Sequence, residues 1–257
     1  MPADYERNGH IAVITLNRPN ALNAIDLETW AGFGEATARF ADDDEAWVGI
    51  VTGAGERAFC AGADIKTSIR AMLDDPRSKK FEHPATVMRG QVLEKPLIAA
   101  INGMALGGGL EVVLACDIRI ASNRATFGSP EVRLGLIPGW GATQRLPRMI
   151  PWAIAAGMIL DGEAIDANRA LAYGLVNAVV EPGEVVPEAM KAAERLCSRG
   201  PLALRAAKRA MNAALNLPLE QGLAEEKDLF ESLAYTEDAM EGVAAFEEKR
   251  AATFKAR

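Results

Sequence analysis

The run Leu97-Ile98-Ala99-Ala100-Ile101-Asn102-Gly103-Met104-Ala105-Leu106-Gly107-Gly108-Gly109-Leu110-Glu111 carries the architecture of this chain in miniature. Leu97 to Ile101 is an unbroken apolar stretch of strand length, and it reads as a buried strand. The three glycines that follow have no Cβ, so the backbone there can pass close to a ligand or to another chain segment. A helix is expected from the glycines to about Ala115, with a return strand from Asp117 to Ala121. The start of such a helix offers unpaired N–H groups and a positive dipole end, which stabilise negative charge. Glu111 falls in the first turn of that helix. Taken alone, the pattern is better read as tight helix–strand packing with an acidic residue complementing the dipole.

Outward from this run the same alternation recurs. Asn8-Gly9 predicts a tight hairpin turn ahead of a strand from Ile11 to Leu16, and Arg18-Pro19-Asn20 breaks that strand. Leu27, Trp30, Phe33, Ala36 and Phe40 recur at helical spacing and predict a core-facing helix. A second strand is expected at Trp47 to Thr52, followed by a Gly-rich turn. The polar stretch from Thr67 to Glu94 predicts a helix plus a mobile loop around Asp74 to Pro84. Strand, turn, helix and strand repeating in this way imply an α/β fold of connected repeats. Beyond about residue 185 the pattern is almost purely helical, with Pro201 at a first helical turn and Thr236 placed to cap the last helix. No Ser/Gly-rich linker divides the chain. Residues 1–200 are therefore expected to form the α/β core and 201–257 a helical C-terminal region.

Composition narrows the function. Of 257 residues, 49% are hydrophobic and 25% charged, as in an ordinary globular protein. The net charge of -7 and 6% aromatic content argue against a nucleic-acid partner. Cys60, Cys116 and Cys197 are scattered, with no C-x-x-C pair, which fits a reducing compartment. His10 and His83 are the only histidines, and a His-rich metal site is not expected. The segment Met1 to Arg7 lacks the apolar run of a secretory signal, and no apolar stretch is long enough to span a bilayer, so a cytoplasmic location is expected.

Two further segments share the chemistry of the first. Ala58-Phe59-Cys60-Ala61-Gly62-Ala63-Asp64-Ile65 is a small-residue loop just past a strand, where Gly62 frees the backbone to turn an N–H outward. A plain surface turn is its simpler reading. Gly53-Ala54-Gly55 after a strand resembles a dinucleotide fingerprint, but Gly62 and Asp64 interrupt the helix such a fingerprint needs. In the third segment, Phe127-Gly128-Ser129-Pro130-Glu131-Val132-Arg133-Leu134-Gly135, Glu131 sits among Phe127, Val132 and Leu134. If desolvated there, beside a second carboxylate, it would have a raised pKa and act as an acid near neutrality; otherwise it is a solvated turn residue. This segment continues through Ile137-Pro138-Gly139 to Thr143-Gln144-Arg145-Leu146-Pro147. Cys60 has no neighbouring histidine and no nucleophile elbow, so it reads as a small buried filler, and Met72, Met88 and Met104 likewise read as packing.

The three segments in this order closely resemble the crotonase (enoyl-CoA hydratase/isomerase) superfamily, and the resemblance extends from Asn17-Arg18-Pro19 to Phe246-Glu247-Glu248-Lys249-Arg250. It implies a spiral of β-β-α units with a helical C-terminal trimerisation region. It implies an oxyanion hole from the backbone N–H groups of Ala63 and Gly108, and catalysis by Glu111 and Glu131. Family isomerases commonly keep only the Glu131 position, so the pair favours an enoyl-CoA hydratase. The alternatives are an isomerase, another lyase of the family acting on a branched or cyclic acyl-CoA, or a non-catalytic RNA-binding member. The resemblance further implies substrate contacts at Ala61, Asp64, Ile65, Lys66, Gly139, Trp140 and Lys249, the last reaching CoA from the C-terminal helix, often of a neighbouring subunit. Coenzyme A enters as part of the substrate, and no metal, nicotinamide or flavin is required. A homotrimer or a hexamer of two stacked trimers is expected. Asn20 stands where the family often has a lysine near the CoA phosphates. Trp140 replaces a commonly small residue, either narrowing the acyl pocket or forming a lid on Glu131.

Overall fold

The computed structural model describes residues 2–74 and 85–257. Apart from Asp74, the loop expected around Asp74 to Pro84 lies outside the described residues. β1 (Ala3–Asn8) and β2 (Ile11–Leu16) pair antiparallel across a two-residue turn. The expected Asn8-Gly9 turn moves by one residue: Asn8 stays in the ladder opposite Ile11, and Gly9-His10 make the turn, with Gly9 at φ +56°. A glycine of positive φ at the first turn position matches the twist of the flanking strands.

α1 (Leu27–Asp42) begins at Asp26, whose carboxylate accepts the Thr29 N–H at 2.8 Å. Trp30, Phe33, Ala36 and Phe40 are buried as the spacing requires. Leu27, expected on the same face, is 40% exposed, because it opens the helix before the first turn meets the sheet.

Three units then follow one plan, a longer strand, a three-residue strand and a helix. They are β3 (Val48–Gly53) and β4 (Ala58–Cys60) with α2 (Arg70–Asp74), then β5 (Leu97–Ile101) and β6 (Met104–Leu106) with α3 (Gly108–Leu114). The third is β7 (Ile118–Ser122) and β8 (Thr126–Gly128), leading to α4 (Ala142–Met149). α5 (Trp152–Ala156), β9 (Ala164–Asp166), α6 (Ala167–Ala172) and β10 (Ala178–Val180) complete the core, and α7 (Val185–Cys197) covers it. Among the described residues the long strands, with the three-residue β10 at one edge, form a six-stranded sheet, β1-β2-β3-β5-β7-β10, parallel except for β1. The short strands form a four-stranded sheet, β4-β6-β8-β9, in which only β9 is antiparallel.

The long strands alternate between two cores. Leu97, Ala99 and Ile101 of β5 face the α1 side, while Ile98 and Ala100 meet Val185, Ala189 and Ala192 of α7. This is the period of two that a sheet covered on both faces demands.

The C-terminal region consists of α8 (Pro201–Ala214), α9 (Leu219–Leu233) and α10 (Glu237–Glu247). Pro201 is the first residue of α8, and Thr236 caps α10 by accepting the Ala239 N–H at 3.1 Å. α8 packs on α9, and Lys208 ties α8 to the core through Lys95 O and Asp117. Phe254 folds back against the α7 side of the core. Among the described residues no helix is long and apolar enough to cross a membrane.

Candidate active site

β4, β6 and β8 lie side by side and parallel, so their C-terminal ends share one edge. The three segments singled out in the sequence are the continuations of these strands. Ala61 to Asp64 follow β4, Gly107 to Gly109 follow β6, and Ser129 to Glu131 follow β8. Sheet topology alone therefore gathers residues some seventy positions apart, at the strand ends where α/β folds place ligands. Gly53-Ala54-Gly55 leads into strand β4 and not into a helix, which removes the dinucleotide alternative.

The loops meet closely. A Cβ on Gly62 (φ +98°) would lie 2.8 Å from Leu106 O and 3.3 Å from the Gly108 nitrogen. A Cβ on Gly107 (φ +52°) would lie 3.1 Å from Glu131 Oε1. Glycine is required at both places by conformation as well as by space. Two asparagines brace the approach to β4. Asn23 donates to Ala58 O at 2.8 Å, and Asn102 donates to Gly53 O at 2.9 Å and Gly55 O at 2.6 Å.

The N–H groups at this junction can be followed one by one. Ala61 donates to Leu22 O, Gly62 to Cys60 Sγ, Asp64 to Ile25 O, and Gly107 to Gly128 O. Neither Ala63 nor Gly108 has an acceptor for its N–H among the described residues. Gly108 opens α3, so no carbonyl lies one turn behind it.

Glu111 is 2% exposed. Its Oε1 accepts the N–H of Trp140 at 2.7 Å and of Ala142 at 3.0 Å. Burial, opposed by these hydrogen bonds and reinforced by the negative charge of Glu131, holds the Glu111 carboxyl above its usual range. Glu131 stands on the 3-10 turn Pro130–Leu134 and is only half-buried; its Oε2 accepts the Ser129 hydroxyl at 2.8 Å. The partial burial considered for Glu131 is present, but the deeper of the two carboxylates is Glu111. Of the neighbours proposed for Glu131, Phe127 is buried but Leu134 is 54% exposed, because the turn carries it to the surface.

Trp140 serves the site with both its backbone and its ring. Its backbone holds Glu111, and its ring packs against Trp30, with centroids 4.2 Å apart. A methyl group on Gly108 would collide with that ring, which therefore lies over the candidate oxyanion hole. Cys60 is fully buried, and its thiol is pushed up to about 12, as a packing residue would be. Met88 is buried as expected.

The remaining candidates divide by role. The Asp64 side chain caps the turn at Lys66 and Thr67 and pairs with Arg18 at 3.2 Å. Burial would raise its carboxyl, but the Arg18 hydrogen bond and the backbone N–H groups hold it below its usual value. Asp64 thus shapes the loop with its side chain. Ile65, Lys66 and Gly139 are exposed, as is Asn20. Lys249 lies beyond the end of α10, at φ +55°, so it extends from the segment after the helix and not from the helix itself. Its backbone N–H bonds to Phe246 O. Ser129 and Arg145, which hold the carboxylates' surroundings, carried no role in the sequence; a serine two positions before Glu131 was the available signal for the first.

Residues 6–257 match the family described as enoyl-CoA hydratase/isomerase. The chain is 43% identical over 255 residues to the (E)-benzylidenesuccinyl-CoA hydratase of Thauera aromatica, covering 99% of each chain. It is 42% identical to the short-chain-enoyl-CoA hydratase of Clostridium acetobutylicum, over 95% of this chain and 94% of the relative. The crystal structure of an enoyl-CoA hydratase from Bacillus anthracis superposes with a TM-score of 0.90 at 38% identity, covering 100% of each chain.

Proposed function

The chain belongs to the enoyl-CoA hydratase/isomerase family, and we propose that it is an enoyl-CoA hydratase in which Glu111 and Glu131 add water across the 2,3 double bond to give a 3-hydroxyacyl-CoA. The observation that carries this reading is the meeting of two carboxylates with two unpartnered N–H groups at one strand edge. The thioester oxygen accepts the N–H groups of Ala63 and Gly108, so charge developing there in the transition state is stabilised. Such a donor contributes roughly 2.7–4 kcal/mol. Glu111 takes a proton from the water that attacks C3, and Glu131 delivers one to C2. Each positioned acid or base contributes about a hundred- to ten-thousand-fold. The negative charge of Glu131 adds to burial in raising the Glu111 carboxyl. Water addition is redox-neutral, and this acid–base pair suffices for it, so no cofactor beyond the CoA of the substrate is assigned.

The CoA moiety is assigned to the backbone of Ala61 to Ala63, with the exposed Lys66 near its phosphates and Lys249 supplied from the C-terminal segment. The scattered free cysteines support a cytoplasmic setting.

The test is loss of the enone ultraviolet absorbance of crotonyl-CoA, extended to branched and aryl enoyl-CoAs to read the acyl preference. Glu111→Gln should nearly abolish hydration yet keep exchange of the C2 protons of a saturated acyl-CoA in deuterated water. Glu131→Gln should abolish both, and both variants should still bind CoA thioesters. Double-bond migration without hydration would replace this reading with an isomerase. Near wild-type hydration by either variant would overturn the assigned roles.

A further inference from the structure

We propose that Arg145 is a positioning residue for Glu111, clamping the Trp140–Ala142 loop to the Thr86–Gly90 turn and so fixing the two N–H groups that aim the carboxylate. The proposal rests on the hydratase reading above for what Glu111 does, but the clamp itself is a matter of geometry.

The loop from Pro138 to Ala142 has no regular secondary structure until α4 begins, and two of its residues are glycines. Gly141 sits at φ +122°, outside the range of other residues, and a Cβ there would run into the Arg145 guanidinium. Such a segment has little intrinsic reason to hold one shape, yet it supplies both donors to Glu111 Oε1. Arg145 lies directly beneath it. Nη1 donates to Trp140 O at 3.0 Å, Nη2 donates to Met88 O at 2.8 Å, and the Arg145 backbone N–H donates to Gly141 O at 2.8 Å.

The other end of the clamp is firm. Thr86 and Arg89 exchange reciprocal backbone hydrogen bonds of 2.9 Å, and Val87 and Met88 are buried in the main core. A guanidinium is a planar fork whose donors diverge at fixed angles, so one side chain can serve two carbonyls at once; an ammonium on a flexible stem cannot hold both in that geometry. Burial lowers the proton affinity of this guanidinium, while attraction to Glu111 opposes the shift, so the charge also faces the carboxylate it positions. The titratable groups facing this pair are then Glu131, which repels Glu111, and the thiol of Cys116, which faces Arg145. That thiol is pushed up to about 12 by burial and carries no charge at neutral pH.

The two functions of Arg145, fork and charge, separate by substitution. Arg145→Lys keeps the charge and loses the fork; Arg145→Gln loses both. We would measure kcat and KM for crotonyl-CoA across pH, with hydrogen exchange of peptides spanning residues 138–146 in wild type and both variants. Arg145→Lys should lower kcat by about tenfold or more while KM stays within about twofold, as expected when a catalytic group is misplaced but the substrate still binds. The acidic limb of kcat should move to higher pH, because Glu111 loses hydrogen bonds to its charged form. Exchange over 138–146 should accelerate. In Arg145→Gln the limb should move further. Wild-type kcat and an unmoved limb in Arg145→Lys would overturn the proposal, as would a loss of activity matched by an equal loss of folded protein with the limb unchanged. If neither variant folds, rapid exchange across 138–146 in the wild type would still overturn it and slow exchange there would support it. Absence of hydration by the wild type would instead sink the hydratase reading and leave the exchange measurement to judge the clamp.

Discussion

Glu111 combines a charge-bearing side chain with near-complete burial, and that combination has a thermodynamic signature. Its folded-state pKa is raised, chiefly by burial, above the usual glutamate value of 4.5. Between those two values the folded protein holds a proton that the unfolded chain has released, so stability falls as pH rises through that window. The destabilisation is fully present above the raised value and absent below the unfolded one. Glu111→Gln keeps an oxygen for the Trp140 and Ala142 N–H groups and removes the charge. It should therefore melt higher than wild type at about pH 7.5, by about 2–4 °C for each kcal/mol relieved. The difference should vanish near pH 4, where the unfolded carboxyl is protonated as well. Thermal melts at the two pH values decide it; an equal or lower melting point for the variant at pH 7.5 would show that burial of the charge costs nothing here. This is the trade expected where function needs a buried base.

The loop between the 3-10 turn Pro130–Leu134 and α4 does two jobs with one residue. The Trp140 backbone holds Glu111, whereas its ring rests on Trp30 and over Gly108. Trp140→Ala preserves the first job and removes the second. The variant should gain activity on longer or bulkier acyl-CoAs relative to crotonyl-CoA and lose about 1–3 kcal/mol of stability from the ring contact. The ratio of kcat/KM values across a chain-length series is the measurement. A uniform fall across the series would instead mean that the ring serves chiefly to support the Glu111 loop. The short strands matter for the same reason as the loop. Three residues each in β4, β6 and β8 suffice to deliver three turns to one edge, and Phe59, Ala105 and Phe127 on them also fill the main core.

The six-stranded sheet is covered on both faces, whereas α8 to α10 leave apolar side chains uncovered. Phe230 is 74% exposed, Tyr235 88%, Met240 61%, Val243 61% and Phe246 85%, and Leu215 and Leu223 are about half exposed at 52% and 48%. Large apolar side chains exposed in this number on one helical region fit an interaction face. We propose that it is covered by further copies of the chain, as a trimer or a pair of stacked trimers. Sedimentation should find no stable active monomer, and deleting residues 236–257 should reduce both assembly and affinity for CoA thioesters through loss of Lys249. A fully active monomer would contradict this.

Local order along the chain was readable where short-range physics governs it. The apolar run Leu97 to Ile101, the helical spacing from Trp30 to Phe40, Pro201 at a first helical turn and Thr236 as a cap are each settled within a few residues, and the structure bears them out. The three loop segments and both glutamates stood out only through the joint resemblance of the segments to the family, since each alone fits packing or a turn, and the sheet brings the three segments to one edge. What could not be read was which carboxylate lies deep and what holds it. Glu111 is buried because the Trp140–Ala142 loop, some thirty residues later, closes over it with two N–H groups, and Arg145 reaches back to Met88, 57 residues earlier, to fasten that loop. Desolvation is a property of neighbours in space, so neither the raised Glu111 carboxyl nor the placement of the Trp140 ring over Gly108 has a signature in its own stretch of sequence.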